Sequence, residues 1–196
     1  MAGATQQEIK AAVDRAWTIP GLYRKGEAAF LYELARRSGN IVEIGCWMGR
    51  STAILVQAAK VWGAQVMSVD IFSPMPHDYP RSSRGKWTAK LESIGLVPPE
   101  LLEMASEEAA KVYDREIALL FIDGDHNQEV VAQDLADWGA KVKVGGVIAL
   151  HDMFYPSITG VAKAVTTWWE MQRVGTIPNW ELVGMVDFTI AFRRLR

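Results

Sequence analysis

Four short segments of this sequence carry residue types that could do chemistry together. The first is Glu43-Ile-Gly45-Cys46-Trp47-Met-Gly49-Arg-Ser51. Gly45 permits a tight turn and close approach of a ligand to the backbone. Gly49 and Ser51 open a predicted helix whose free N–H groups face the same crevice. Glu43, just before the turn, can hold a cationic amino group, which suits a ligand bearing an amino acid. A dinucleotide fingerprint requires Gly-x-Gly-x-x-Gly. Here Trp47 stands at the second glycine position, where it would crowd a pyrophosphate, and this disfavours NAD.

The second segment ends at Asp70, 27 residues beyond Glu43. An acid at a strand end can accept both hydroxyls of a ribose. Ser106-Glu107, further along, either reaches an adenine edge or caps a helix. The third segment is Phe121-Ile-Asp123-Gly-Asp125-His126 and the fourth is Gly145-Gly-Val-Ile-Ala-Leu-His151-Asp152. If these two end neighbouring strands, Asp123, His151 and Asp152 converge. Two carboxylates and an imidazole there make either a divalent-metal site or a set of turn and cap residues. Asp125 and His126 are candidate general bases. Cys46 reads as a small buried residue, and Trp168 and Trp169 as core and interface. With three histidines and no Gly-x-Ser-x-Gly elbow, a hydrolase triad has little support.

The elements that must position these residues alternate between short apolar runs and helical stretches. Residues 6–38 read as helix broken near Thr18–Gly21, and Ser38-Gly-Asn40 ends it with turn chemistry. Strands are expected at 40–44, 65–70, 101–104, 117–122 and 147–150, and helices at 49–60, 87–94, after Ser106, 130–142 and 157–172. Residues 72–86, with Pro74, Pro76 and Pro80, read as a loop over the mouth of the site. Residues 180–194 read as two strands meeting near Val186-Asp187. Almost nothing lies between them, so they must form an antiparallel hairpin. Alternation of strand and helix elsewhere implies βαβ units, with ligands at the carboxyl ends of the strands.

The chain has 196 residues, which bounds it to one domain or a domain with a short appendage. Its 21 Lys+Arg against 23 Asp+Glu exclude the basic face that nucleic acid or a polybasic membrane anchor needs. The single cysteine fits a reducing compartment. There is no signal-peptide pattern and no apolar run of ~20 residues. A cytoplasmic protein is expected.

The four segments, in this order and at these spacings, resemble class I S-adenosylmethionine (SAM)-dependent methyltransferases. They are most similar to the small-molecule group around macrocin O-methyltransferase and the cephalosporin-hydroxylase-like proteins, over residues 40–195. The resemblance implies a Rossmann-like α/β fold with a seven-stranded, mostly parallel sheet of order 3-2-1-4-5-7-6, strand seven antiparallel. It implies a single methyltransferase domain over 1–196, with 1–39 as a helical cap and 40–196 as the SAM-binding core. Glu43, Gly45, Cys46, Trp47, Gly49, Ser51, Asp70, Ile71, Ser106, Glu107 and Asp123 are then expected to line the cofactor. Metal-dependent members hold magnesium on an acid matching Asp123 and an acidic pair matching His151 and Asp152, and an acid matching Asp125 is a proposed base there. His151 departs from that pattern, because imidazole is a poorer ligand for hard Mg²⁺. The metal, Mg or Mn, is therefore an open expectation.

The expected function is methyl transfer from SAM to a hydroxyl of a small molecule, with Asp125 or His126 as base and a divalent ion on Asp123, His151 and Asp152. A non-catalytic SAM-binding regulator or scaffold is the alternative, and an NAD-dependent oxidoreductase stands third. The acceptor has no readable code, and homo-oligomerisation is left open.

Overall fold

The sheet is built where hydrophobic runs of five or six residues are bounded by glycine and polar turns. In the computed structural model, which describes residues 5–37, 39–73 and 79–196, seven strands and seven helices alternate. They are α1 (Gln6–Ala16), α2 (Lys25–Leu34), β1 (Asn40–Ile44), α3 (Arg50–Trp62), β2 (Gln65–Val69), α4 (Arg84–Ser93) and β3 (Glu100–Leu102). They continue with α5 (Ser106–Val112), β4 (Ile117–Ile122), α6 (Gln128–Gly139), β5 (Val142–Leu150), α7 (Gly160–Arg173), β6 (Trp180–Val186) and β7 (Thr189–Arg194). The expected turn residue Ser38, and the part of the 72–86 loop that holds Pro74 and Pro76, lie outside the described residues.

The strand order is β3-β2-β1-β4-β5-β7-β6, and β7 runs antiparallel to both its neighbours. This is the Rossmann-like order expected from the resemblance. β4, Ile-Ala-Leu-Leu-Phe-Ile, is buried along its whole length. That is how a central parallel strand covered on both faces should read. Leu119 and Phe121 face a cluster shared with α1, α2, α3 and α4, whereas Leu120 and Ile122 face one shared with α5, α6 and α7. Trp168 packs on Trp180 and Phe192, and Trp169 on Phe192, so both tryptophans serve the second cluster as expected.

Several boundaries differ from expectation. β5 begins at Val142, because a backbone irregularity with Gly145 at φ +77° lets the strand continue through the two glycines. α6 correspondingly ends at Gly139. The N-cap of α5 is Ala105, so Ser106 is the first helical residue and not the cap. No helix among the described residues is long and apolar enough to cross a membrane.

Candidate active site

The strand order reverses between β1 and β4, and there the two glycine-containing turns interlock. Asp123 N donates to Ile44 O at 2.8 Å, and Gly45 N donates to Val69 O at 2.8 Å. Gly45 has φ +82°, and a Cβ on it would lie 2.3 Å from Asp123 O and 2.5 Å from Gly124 Cα. Glycine is therefore required by both conformation and close backbone approach. Trp47 (φ +42°) and Asp152 (φ +58°) are left-handed without being glycine. Such conformations persist only where surrounding contacts hold them.

Asp70 supplies some of those contacts. Its Oδ2 accepts from Cys46 N and Trp47 N, both at 2.8 Å, and its Oδ1 accepts from Phe72 N at 2.6 Å. The residue expected to hold a ribose thus also ties the end of β2 to the glycine turn. A carboxylate offers about four acceptor positions, so capacity remains for a ligand hydroxyl. The Trp47 indole turns toward the segment after β2, where Nε1 donates to Pro80 O at 3.2 Å and the ring meets Tyr79 edge-on. Cys46 is buried, and burial pushes its thiol far above the ordinary range, which removes it as a nucleophile. Gly49 caps α3 at φ +96°, Ser51 is buried and Ile71 is exposed.

Glu43 is fully buried. Its Oε2 accepts from Thr52 Oγ1 at 2.6 Å and Ser68 Oγ at 2.7 Å, while Oε1 has no partner among the described residues. Burial pushes the carboxyl up to about 7 against the hydroxyl hydrogen bonds. The Tyr23 hydroxyl is likewise buried and unpartnered. An orphaned acid oxygen fits a cationic ligand group, the chemistry expected of this position.

The third and fourth segments converge as the strand pairing requires, since Ile122 of β4 pairs with Leu150 of β5. His126 Nε2 lies 2.8 Å from Asp152 Oδ2. His151 Nδ1 lies 3.0 Å from Asp123 Oδ1 and 3.2 Å from Asp152 Oδ2. On its far side, His151 Nε2 is 3.2 Å from Glu27 Oε1, close enough for charge attraction but not aligned as a hydrogen bond. Burial opposes the charge on His151, but Asp123, Asp152 and Glu27 outweigh it and push the imidazole up to about 12. The hydrogen bond to Asp152 raises His126 as well. Burial opposes ionisation of Asp152, yet the two imidazoles hold it well below the usual carboxylate range.

These contacts group the residues differently from the expected set of Asp123, His151 and Asp152. His151 is buried with both nitrogens turned to carboxylates. The ligand atoms that gather within 4.8 Å belong instead to Asp123, His126 and Asp152. Two carboxylates and one imidazole can hold a divalent cation of the Mn²⁺ type better than strictly oxygen-seeking Mg²⁺. Asp125 is the other residue expected as a base. It is exposed, and its Oδ1 accepts from Asn127 N at 2.7 Å, which closes the turn into α6. Ser106 donates to Asp134 Oδ1 at 2.5 Å and accepts from Trp138 Nε1 at 2.8 Å, so its hydroxyl is engaged between α5 and α6. Glu107 is exposed and pairs with Lys111.

Glu27 and Tyr23 were not among the expected residues. Glu27 shares a helix face with Leu31 and Leu34, spaced i, i+4, i+7, and an acid on an otherwise apolar face was the available signal.

A model of a methyltransferase-domain family (Methyltransf_24) matches residues 42–153. Among solved structures, the fold is similar to the O-methyltransferase NovP, with TM-score 0.74 and 16% identity over 97% of each chain. It is similar to the methyltransferase PaMTH1 of Podospora anserina bound to S-adenosylhomocysteine, with TM-score 0.69 and 14% identity over 100% of this chain and 91% of that one. It is also similar to the MycE methyltransferase solved with Mg, S-adenosylhomocysteine and mycinamycin VI, with TM-score 0.66 and 13% identity over 96% of this chain and 55% of that one.

Proposed function

This chain belongs to the methyltransferase-domain family, and from that premise we propose that it transfers a methyl group from SAM to a hydroxyl of a small molecule. The observation that carries the reading is the meeting of Asp123, His126 and Asp152 within 4.8 Å at the ends of β4 and β5, beside the glycine turn of β1. SAM supplies an activated sulfonium methyl, so the protein's task is alignment and removal of one proton. The Gly45–Gly49 turn and the N-terminus of α3 receive the amino-acid part of the cofactor, with the orphaned Glu43 Oε1 as the acceptor for its ammonium. Asp70 accepts from the ribose. His126, oriented by Asp152 through Nε2, takes the proton of the acceptor hydroxyl at Nδ1 as the methyl is transferred. In a single domain over 1–196, the helices of residues 1–39 cap this face.

The same three side chains, Asp123, His126 and Asp152, would hold a divalent ion. When bound, such an ion supplies Lewis-acid polarisation of the acceptor hydroxyl. His126 serves as ligand in that case and as base without the ion.

Isotope-labelled SAM incubated with a panel of phenols, sugars and hydroxylated macrolides tests the proposal, with calorimetric titration of SAM, S-adenosylhomocysteine and NAD alongside. Binding of the first two but not NAD, with label on an acceptor oxygen, is expected. SAM binding without transfer to any hydroxyl would favour a regulatory protein, and absence of SAM binding would end the reading.

A further inference from the structure

The reactive cluster continues inward from Asp152 to an acid of the N-terminal helices. Glu27, on α2, is fully buried, and His151 is 4% exposed. Isolated, a carboxylate at such depth would be costly. Glu27 is instead surrounded by donors from separate parts of the chain. Its Oε2 accepts from Arg24 N at 2.9 Å, and its Oε1 accepts from Phe188 N at 3.1 Å and Thr189 Oγ1 at 3.0 Å. The same Oε1 faces His151 Nε2 at 3.2 Å. One carboxylate therefore joins α2, the turn between β6 and β7, and the end of β5.

From His151 the chain of contacts runs to the surface. Nδ1 meets Asp123 Oδ1 at 3.0 Å and Asp152 Oδ2 at 3.2 Å, and Asp152 Oδ2 meets His126 Nε2 at 2.8 Å. Acid and imidazole alternate from Glu27 through His151 and Asp152 to His126. The imidazole of His151 is rigid, so a constraint on Nε2 also fixes where Nδ1 points. The Tyr23 ring, 4.5 Å from the His151 ring, limits tilting on that side.

We propose that Glu27 is a positioning residue of the reaction: by holding His151, it fixes Asp123 and Asp152 and, through Asp152, the imidazole of His126. This rests on the methyltransferase reading above for its kinetic consequence, but not for its geometry. A purely structural Glu27 would lower stability and leave the kinetics of the folded enzyme alone. A positioning Glu27 lowers kcat with little change in the KM for SAM, as losing a partner that orients a first ligand or base commonly costs about 10–100-fold.

The test compares Glu27→Ala, Glu27→Gln and Asp187→Asn in the full chain. Asp187 pairs with Arg24 at 2.9 Å and joins the same two elements without touching Glu27 or His151, so its variant is the structural control. Two readouts are taken on protein shown to be folded by circular dichroism. One is kcat and the KM for SAM, measured with the best acceptor. The other is the imidazole carbon–proton spectrum, with His126 and His151 assigned by their Gln variants, which needs no acceptor. The expected result is that Glu27→Ala lowers kcat about 10–100-fold and moves both the His151 and His126 resonances. Glu27→Gln, which keeps an acceptor oxygen, should restore part of kcat, and Asp187→Asn should change neither readout. If Glu27→Ala does not fold, Glu27→Gln carries the test through the same two readouts. An unmoved His126 resonance in a folded Glu27 variant overturns the proposal, and so does a wild-type kcat. A wild-type protein that neither binds SAM nor transfers methyl refutes the functional reading instead, and the spectra still decide the position of Glu27.

Discussion

His126 Nε2 and Asp152 Oδ2 meet at 2.8 Å, and Asp152 holds this contact from a left-handed backbone position at φ +58°. The contact stabilises the protonated imidazole, so the His126 pKa lies above its ordinary 6.5. A base must be neutral to act. The acid limb of kcat/KM is therefore expected above pH 6.5, with activity rising as pH increases through it. His126→Gln should lower kcat by about 10²–10⁴-fold and abolish this limb. A limb near pH 4 in the wild type, or an unchanged profile in the variant, would remove His126 from the proton transfer.

Asp70, proposed above to accept from the cofactor ribose, also holds the shape of the turn. Asp70→Ala removes both the acceptor for ligand hydroxyls and the acceptor for Cys46 N and Trp47 N. A hydrogen bond to a charged group contributes about 1.5–3 kcal/mol, so SAM affinity should fall by at least that free energy. Asp70→Asn keeps one acceptor oxygen for the turn and should lose less. Calorimetric titration of both variants checks this, and wild-type SAM affinity in Asp70→Ala would end the assignment.

The metal is decided by binding as well as by turnover. With Asp123, His126 and Asp152 as ligands, Mn²⁺ should bind in titrations followed by electron paramagnetic resonance. Asp123→Asn and His126→Gln should each weaken it far more than they weaken SAM. If the ion takes part, EDTA abolishes turnover and Mn²⁺ restores it better than Mg²⁺. Full activity in EDTA with no Mn²⁺ signal leaves His126 as base without metal help.

Asp134 offers a test that does not involve the acceptor. It is buried beneath Ser106, and burial pushes its carboxyl up to about 6 from the ordinary 3.8. The folded state thus keeps this proton at pH values where the unfolded chain has lost it. Its contribution to stability is greatest below the ordinary value and falls as pH rises toward about 6. Asp134→Asn keeps an acceptor for Ser106 without the charge. Thermal melts should show the variant gaining on the wild type between about pH 4 and 7, by ~3 kcal/mol at most. A variant less stable at every pH would mean that the carboxylate itself is needed.

The alternation of elements, the hairpin and the four acid-bearing segments were legible because apolar periodicity and short loops encode them locally, whereas the strand order came from the family resemblance. Asp123, His151 and Asp152 could be brought together from the sequence because neighbouring parallel strands end side by side. Their roles could not. His151 is buried against Glu27, which lies 124 residues from it in the chain and meets it only after α2 packs against the β6–β7 turn, while His126 is partly exposed. Asp125 carries a related ambiguity. An acid two residues before Asn127 can close a turn as readily as it can face a cavity, and the sequence alone does not separate the two.

Gly160 shows how tightly His126, the proposed base, is supported from behind. It opens α7, and a Cβ placed on it would lie 2.1 Å from His126 O and 2.8 Å from Gln128 N. Both obstructing atoms are backbone, so no side-chain rotation relieves the clash. Gly160→Ala must push α7 away from the 126–128 turn or shift that turn. Overpacking of this kind typically costs about 1–3 kcal/mol. Part of that strain should appear as misplacement of His126, because its carbonyl is the nearest atom. The expected result is a lower melting temperature with kcat reduced more than SAM affinity. As a comparison, Gly175→Ala at the far end of α7 meets nothing within 4 Å, and only its φ of +76° is strained. It should lower stability and leave kcat as it is. Equal kcat in the two variants would show that the seat of α7 on the His126 turn has no part in placing the base.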